Sequence, residues 1–245
     1  MAVLGYNTKI LIDEFDFSGQ TNGVVLNTDT SIIEYQVLQN AGVLKIPNLV
    51  SPAIEHRGYY NGPDAGDIEA ELHSRLGSAN DVYVGLVFGT HLAAPVGYVL
   101  PQSFNQQLRI DTPIENLIAV NGNWPGGTSR IYRGLQAALG TAEDATGAVG
   151  GVDFGAGGSA GGAAWLFVQG ITGTATDATI VVQSDSASDY SGAVTEATFT
   201  FSAVGAYQAT LSGTVGRYVR ANITDLGGAD DITFLLIVAL SGVSY

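Results

Sequence analysis

The chain has 245 residues, 46% of them hydrophobic, with 33 Gly, 7 Pro, one Met and no Cys. This length supports one large domain or two small ones with ample core, and the lack of Cys excludes a disulfide framework, a Cys-ligated zinc and a thiol nucleophile. Only 13% of residues are charged, yet nine Lys and Arg stand against 23 Asp and Glu for a net charge of -14, which excludes a nucleic-acid-binding surface built on clustered cations.

The apolar content also excludes disorder, which needs low hydrophobicity together with high charge. The longest wholly apolar stretch, Phe234 to Leu240, is far short of the roughly 20 residues that span a bilayer. Acidic residues arrive early, at Asp13, Glu14 and Asp16, where a secretory signal would be apolar, so the chain reads as a soluble protein made in a cytoplasm.

In chain order, the first predicted strands are Lys9–Ile12, Gly23–Leu26 and Ser31–Leu38. Gln39–Pro63 follows without convincing periodicity, and it is more apolar than a solvated loop should be. Two readings stand side by side: a missed strand, or an irregular arm whose Val43, Leu44, Lys45, Ile46, Pro47, Leu49, Val50 and Ile54 meet a neighbouring subunit. One helix is predicted over Asp64–Gly77, where Ile68, Leu72 and Leu76 recur every four residues. Asp64 suits its N-cap, acidic residues fill its early turns, His73 and Arg75 its last turn, and Gly77 its left-handed end. Further strands are expected at Asp81–Phe88, Gly97–Leu100, Gln106–Asp111 and Asn116–Asn121.

From Gly147 to Gly162 eight of sixteen residues are Gly, which reads as a linker. Beyond it, period-2 alternation runs through Trp165–Val168, Ile180–Val182, Ala197–Ser202, Tyr207–Leu211 and Tyr218–Ile223, and Ile232–Leu240 is apolar on both faces. Turn clusters separate these runs at the spacing of a small sandwich. The fold class expected is mainly β: a barrel or sandwich domain with one flanking helix over 1–146, a linker over 147–162, and a β-sandwich over 163–245.

No constellation for chemistry emerges. Ser159 stands in the letters G-x-S-x-G, but inside the Gly-rich stretch rather than at a strand-to-helix elbow. His56, His73 and His91 are 17 and 18 residues apart, without metal-ligand spacing. Asp185 and Asp189 lack the register of a calcium loop, and Asp64, Asp67, Glu69 and Glu71 are accounted for by the start of the helix. Asn222-Ile223-Thr224 is a glycosylation sequon that matters only in a secreted eukaryotic protein. No catalytic residue, cofactor site or metal site is assigned, and the chain is not read as an enzyme.

The order of features carries a resemblance. IDEFDFSGQTNGVVLNTDTS (Ile12–Ser31), KIPNL (Lys45–Leu49), GYYNGPDAGDIEAELHSRLGS (Gly58–Ser78), then VYVGLVFG and APVGYVLPQSFNQQLRIDTPIE resemble the major tail protein, or tail tube protein, of long-tailed bacteriophages (siphophages) over about the first 120 residues. After the glycines, AAWLFVQGITG to GRYVRANITDLGG is similar to a sandwich domain appended to some of these proteins on the tube exterior. Asn123–Asp144 matches no part of the family and is expected to be a short helix between domains.

The resemblance implies a virion structural protein, assembled in the host cytoplasm. It implies hexameric rings whose sheets close into a continuous barrel, stacked into a tube around the tape measure protein. DNA would pass through the lumen without specific binding, helped by the acidic balance, and the arm would contact neighbouring rings. The partners implied are further copies of the chain and other tail proteins, with no membrane insertion. Two alternatives are another virion component, such as a tail terminator or head decoration protein, and a carbohydrate- or cell-surface-binding sandwich with Tyr190, Tyr207 or Tyr218 as its platform.

Overall fold

The computed structural model describes residues 7–36, 43–62, 64, 66–78, 81–90, 92–112, 117–127, 130–158 and 160–243, and within 31–49 the backbone only. The elements are β1 (Thr8–Ile12), β2 (Phe15–Asp16), β3 (Thr21–Gln36), β4 (Val43–Tyr59), α1 (Ile68–Ser74), β5 (Val82–Phe88), β6 (Val96–Ser103), β7 (Gln107–Asp111) and β8 (Ala119–Pro125). They continue with β9 (Tyr132–Glu143), β10 (Gly147–Asp153), β11 (Gly162–Gly173), β12 (Ala178–Asp185), β13 (Val194–Phe201), β14 (Gly205–Leu211), β15 (Tyr218–Asp225) and β16 (Ala229–Leu240). The fold is mainly β, as the alternation predicts. Among the described residues no helix is long and apolar enough to cross a membrane.

Two compact units form, one from residues 1–19, 85–99 and 132–245 and the other from 20–84 and 100–131. This differs from the division at 1–146, 147–162 and 163–245, because the first unit recruits N-terminal strands into the sheet of the C-terminal half. Its larger sheet runs β14-β11-β16-β9-β6-β5-β1-β2, and its smaller sheet runs β10-β15-β12-β13.

The core between these two sheets explains the patterning of the C-terminal half. Leu166 and Val168 of β11 and Phe234, Leu236 and Val238 of β16 pack with Ile180 and Val182 of β12 and Val219, Ala221 and Ile223 of β15. The alternate residues, Trp165 and Phe167 opposite Ile237 and Leu235, are buried on the other face. Residues covered on both faces give the continuous apolar run of β16. The larger sheet is curled: a Cβ at Gly85 of β5 would lie 2.8 Å from the ring of Phe167 on β11, although three strands separate the two in the sheet order.

The Gly-rich segment is not a linker. Gly147–Asp153 pairs antiparallel with β15, with a bulge between Val149 and Val152. Val152 and Phe154 are buried in the core, each a contribution of about 1.5–3 kcal/mol. The glycines there answer a close approach: Gly150 has φ +70°, and a Cβ on it would stand 2.6 Å from the Ala137 carbonyl oxygen. Gly158 bridges to Val215, so the segment returns to the sandwich after β10. The described residues of Asn123–Asp144 likewise hold no helix; the spacing of Leu135, Ala138 and Leu139 serves β9, which pairs with β16 and β6.

The second unit is the sheet β3-β4-β8-β7 with α1 against it. The helix is shorter than Asp64–Gly77, and Asp67 rather than Asp64 takes the N-cap position. The Asp67 carboxylate accepts from Asn61 Nδ2 and the Asp64 amide, tying the turn before the helix. Gln20 Oε1 accepts from the Ile68 amide at 2.9 Å, satisfying a helix-start donor that sequence spacing assigned to a local cap.

Candidate assembly surface

Register divides the residues of the second unit's sheet between two faces. Ile54 and His56 of β4 and Val120 and Trp124 of β8 are buried, together with Ile68 and Leu72 of α1. Gly58 and Gly122 permit this approach, since a Cβ on either would lie 2.6 Å from Ile68 or Leu72. Asn105 Nδ2 donates to the Leu72 carbonyl at 2.7 Å and pins the end of the helix.

The other face is a polar carpet. Glu55 pairs with Val25 and Asn123, Arg57 with Gly23 and Asn121, and Gln107, Arg109 and Asp111 of β7 stand opposite Asn123, Asn121 and Ala119. Asn27 Nδ2 donates to Glu55 Oε1 at 3.2 Å, Arg109 Nε to Asp111 Oδ1 at 3.0 Å, and Asn121 Nδ2 to Asp111 Oδ2 at 3.3 Å. A shallow groove of about 470 Å³ runs over these residues. Its four charges, Glu55, Asp111, Arg57 and Arg109, cancel, so the groove carries none of the acidic excess of the chain.

Both edges of the sheet are open among the described residues: β3 ends it on one side and β7 on the other. At one end the pair β3·β4 outruns the sheet. β4 pairs with β8 from Ala53 to Tyr59, whereas its pairing with β3 continues from Ser51 opposite Asp29 to Val43 opposite Gln36. The result is a two-stranded ribbon beyond the four-stranded body.

The predicted arm residues fall on this strand. Val43, Leu44, Lys45, Ile46, Pro47, Leu49 and Val50 belong to the ribbon, and Ile54 belongs to the four-stranded body, where it is fully buried. The irregular arm is therefore corrected to a regular strand, the missed strand of the two readings. Pro47 and Pro52 break the pattern in the sequence, and the buried positions that follow Ile54 are His56 and Gly58, which do not read as apolar. Val50 is 51% exposed.

The remaining candidates do not converge. Ser159 and His91 lie outside the described residues. His73 is exposed on α1 and His56 is buried, and among the described residues no three His, Asp or Glu side chains are grouped to hold a metal. The Asp185 carboxylate accepts from the amides of Ala187 at 3.0 Å and Gly192 at 2.7 Å, which closes the β12–β13 turn. Those bonds hold its carboxyl below the usual range. The three tyrosines are engaged: the Arg220 guanidinium lies 4.2 Å from the Tyr190 ring and that of Arg217 5.1 Å from the Tyr218 ring, while the Tyr207 hydroxyl donates to the Ala203 carbonyl.

No protein-family model and no curated protein matches the chain. Among solved structures, it is similar to a chain of the sheath–tube complex of an extracellular contractile injection system (PVC) in the extended state, at 11% identity over 55% of this chain and 92% of that one, with a TM-score of 0.42. A chain of the anti-feeding prophage tube-terminating cap matches at 12% identity over 55% and 92%, with a TM-score of 0.42. The Dit protein of phage SPP1, described as a hub of the adsorption apparatus, matches at 9% identity over 95% of this chain and 98% of its own, with a TM-score of 0.35.

Proposed function

We propose that this chain is a structural component of a phage-type tail, and within that class the subunit of the tail tube. The observation that carries the reading is the β3·β4 ribbon. A two-stranded hairpin alone is marginally stable in water, and this one extends past its own sheet by the pairs from Ser51–Asp29 to Val43–Gln36. A neighbouring copy supplies the surface that makes such an extension stable. The open edges of β3 and β7 support the same reading, because pairing them between copies satisfies both rows of backbone groups and propagates in one direction.

In this account six copies close into a ring, rings stack into a tube, and the polar face of the second unit's sheet lines the channel. A charge-balanced, amide-rich wall suits the passage of DNA, since it offers neither a cation cluster to hold phosphates nor a strong repelling field. The tape measure protein would occupy the same channel during assembly. The subunit acts by assembling and conducting, with no catalytic step.

Sedimentation of the full chain beside a version in which Thr30–Val50 is replaced by an Asn-Gly turn tests the proposal. The full chain should form large, concentration-dependent assemblies and the shortened chain, folded by circular dichroism, should stay small. Equal assembly of the two, or a full chain that stays monomeric at every concentration, would overturn it. Rings of fixed size that never stack would instead favour a terminator.

A further inference from the structure

The chain has three Asn-Gly pairs, Asn22-Gly23, Asn61-Gly62 and Asn121-Gly122. Such a pair can close on itself, because glycine has no Cβ to hinder its amide nitrogen from reaching the carbonyl carbon of the Asn side chain. The fold treats the three pairs differently. Gly23 lies opposite Arg57 in β3, and Gly122 lies opposite both His56 and Leu108 in β8. Strand pairing fixes both in extended backbone, which keeps the amide nitrogen away from the preceding side chain. Asn61 and Gly62 instead lie beyond the end of β4 at Tyr59, outside any strand. Asn61 is exposed, and among the described residues the Gly62 amide is bonded to no acceptor. A Cβ at Gly62 would stand 2.7 Å from Asp67 Oδ2, so the bare glycine lets that carboxylate approach.

We propose that Asn61-Gly62 is a site of spontaneous covalent modification, at which the folded protein deamidates ahead of its other Asn-Gly pairs. The Gly62 nitrogen attacks Asn61 Cγ, the new C–N bond closes a five-membered succinimide, and the Cγ–Nδ2 bond breaks. Nδ2 leaves as ammonia with the proton that the Gly62 nitrogen gives up. Water then opens the ring at either carbonyl and leaves aspartate or isoaspartate at position 61. The position matters because Asn61 Nδ2 donates to Asp67 Oδ1 at 3.1 Å, and Asp67 takes the N-cap position of α1. After conversion one carboxylate faces another, so a hydrogen bond becomes a like-charge repulsion. The new anion joins a stretch that already has Asp64, Asp67, Glu69 and Glu71. Modification therefore loosens the turn before α1, which the Asp67 carboxylate ties together.

Peptide mapping by mass spectrometry of the full chain, held folded in mildly alkaline buffer and sampled over time, tests the site. Asn61 should convert first, mainly to isoaspartate, at roughly tenfold or more the rate of Asn22 and Asn121, and in urea the three rates should draw together. Equal rates in the folded chain, or a lead by Asn22 or Asn121, would overturn the site. Thermal unfolding tests the consequence. Aged parent should unfold at a lower temperature than fresh protein, and Asn61→Asp should reproduce that loss without ageing. Asn61→Gln, which closes only through a slower six-membered ring, should keep its unfolding temperature over the same time. Equal unfolding of aged and fresh parent, once Asn61 has converted, would overturn the link to α1.

Discussion

Trp124 Nε1 donates to His56 Nδ1 across 3.1 Å, between two fully buried side chains in the second unit. Because Nδ1 accepts, the neutral imidazole carries its proton on Nε2. Burial pushes the His56 pKa down to about 4 from an ordinary 6.5.

Acid should therefore weaken this fold from about pH 6.5 downward. Between pH 6.5 and 4 the unfolded chain binds a proton at His56 that the folded chain refuses, so stability falls with pH by about 1.4 kcal/mol per unit in that window and is level above it. The depressed carboxyls of Asp16 and Asp185 act lower, losing their contribution as pH falls through values below 3.8. Urea unfolding across this range should show the slope in the parent and a flatter profile in His56→Gln, whose amide oxygen still accepts from Trp124. Parallel profiles would show that His56 is not the titrating group.

Two glycines should respond in opposite ways. A Cβ on Gly134 would stand 2.2 Å from the Val238 carbonyl oxygen, a backbone atom, whereas at Gly23 nothing lies within 4 Å. Gly134→Ala should cost on the order of 1–3 kcal/mol or more by overpacking, while Gly23→Ala should be neutral or stabilise by several tenths. Thermal unfolding of the two variants checks this.

The turn between β12 and β13 depends on one carboxylate. In Asp185→Ala the amides of Ala187 and Gly192 lose their acceptor, so both should exchange faster with deuterium. The strand amides of β12 and β15 should keep their protection, because their ladder is intact.

The C-terminal strands were legible because each buries alternate residues in one core, so Ile180, Val182, Val219 and Ala221 print their period directly. What stayed hidden is long-range. The run Gly147–Gly162 looks unstructured by composition, yet Gly150 and Gly161 stand against the backbone at Ala137 and Leu211, contacts that the local sequence does not announce. In β4 the buried alternation passes through His56 and Gly58, whose burial depends on Trp124 and α1. The polar face is not legible in the sequence for a related reason: Glu55, Arg57, Arg109 and Asp111 become one charge-balanced surface only through the register of three strands.

That face yields a prediction of its own. Glu55→Gln combined with Asp111→Asn leaves Arg57 and Arg109 uncompensated. Assembled variant protein should retain short duplex DNA in low salt and release it as salt rises, while the parent retains none. Retention unchanged by these substitutions would show that DNA does not meet this face.

Negative-stain electron microscopy of the purified full chain tests the central claim most directly. The account predicts stacked rings forming tubes of indefinite length with a continuous central channel, present in the parent and lost when Thr30–Val50 is replaced by a short turn. Monomeric particles at every concentration, or tubes formed equally well without the ribbon, would contradict it.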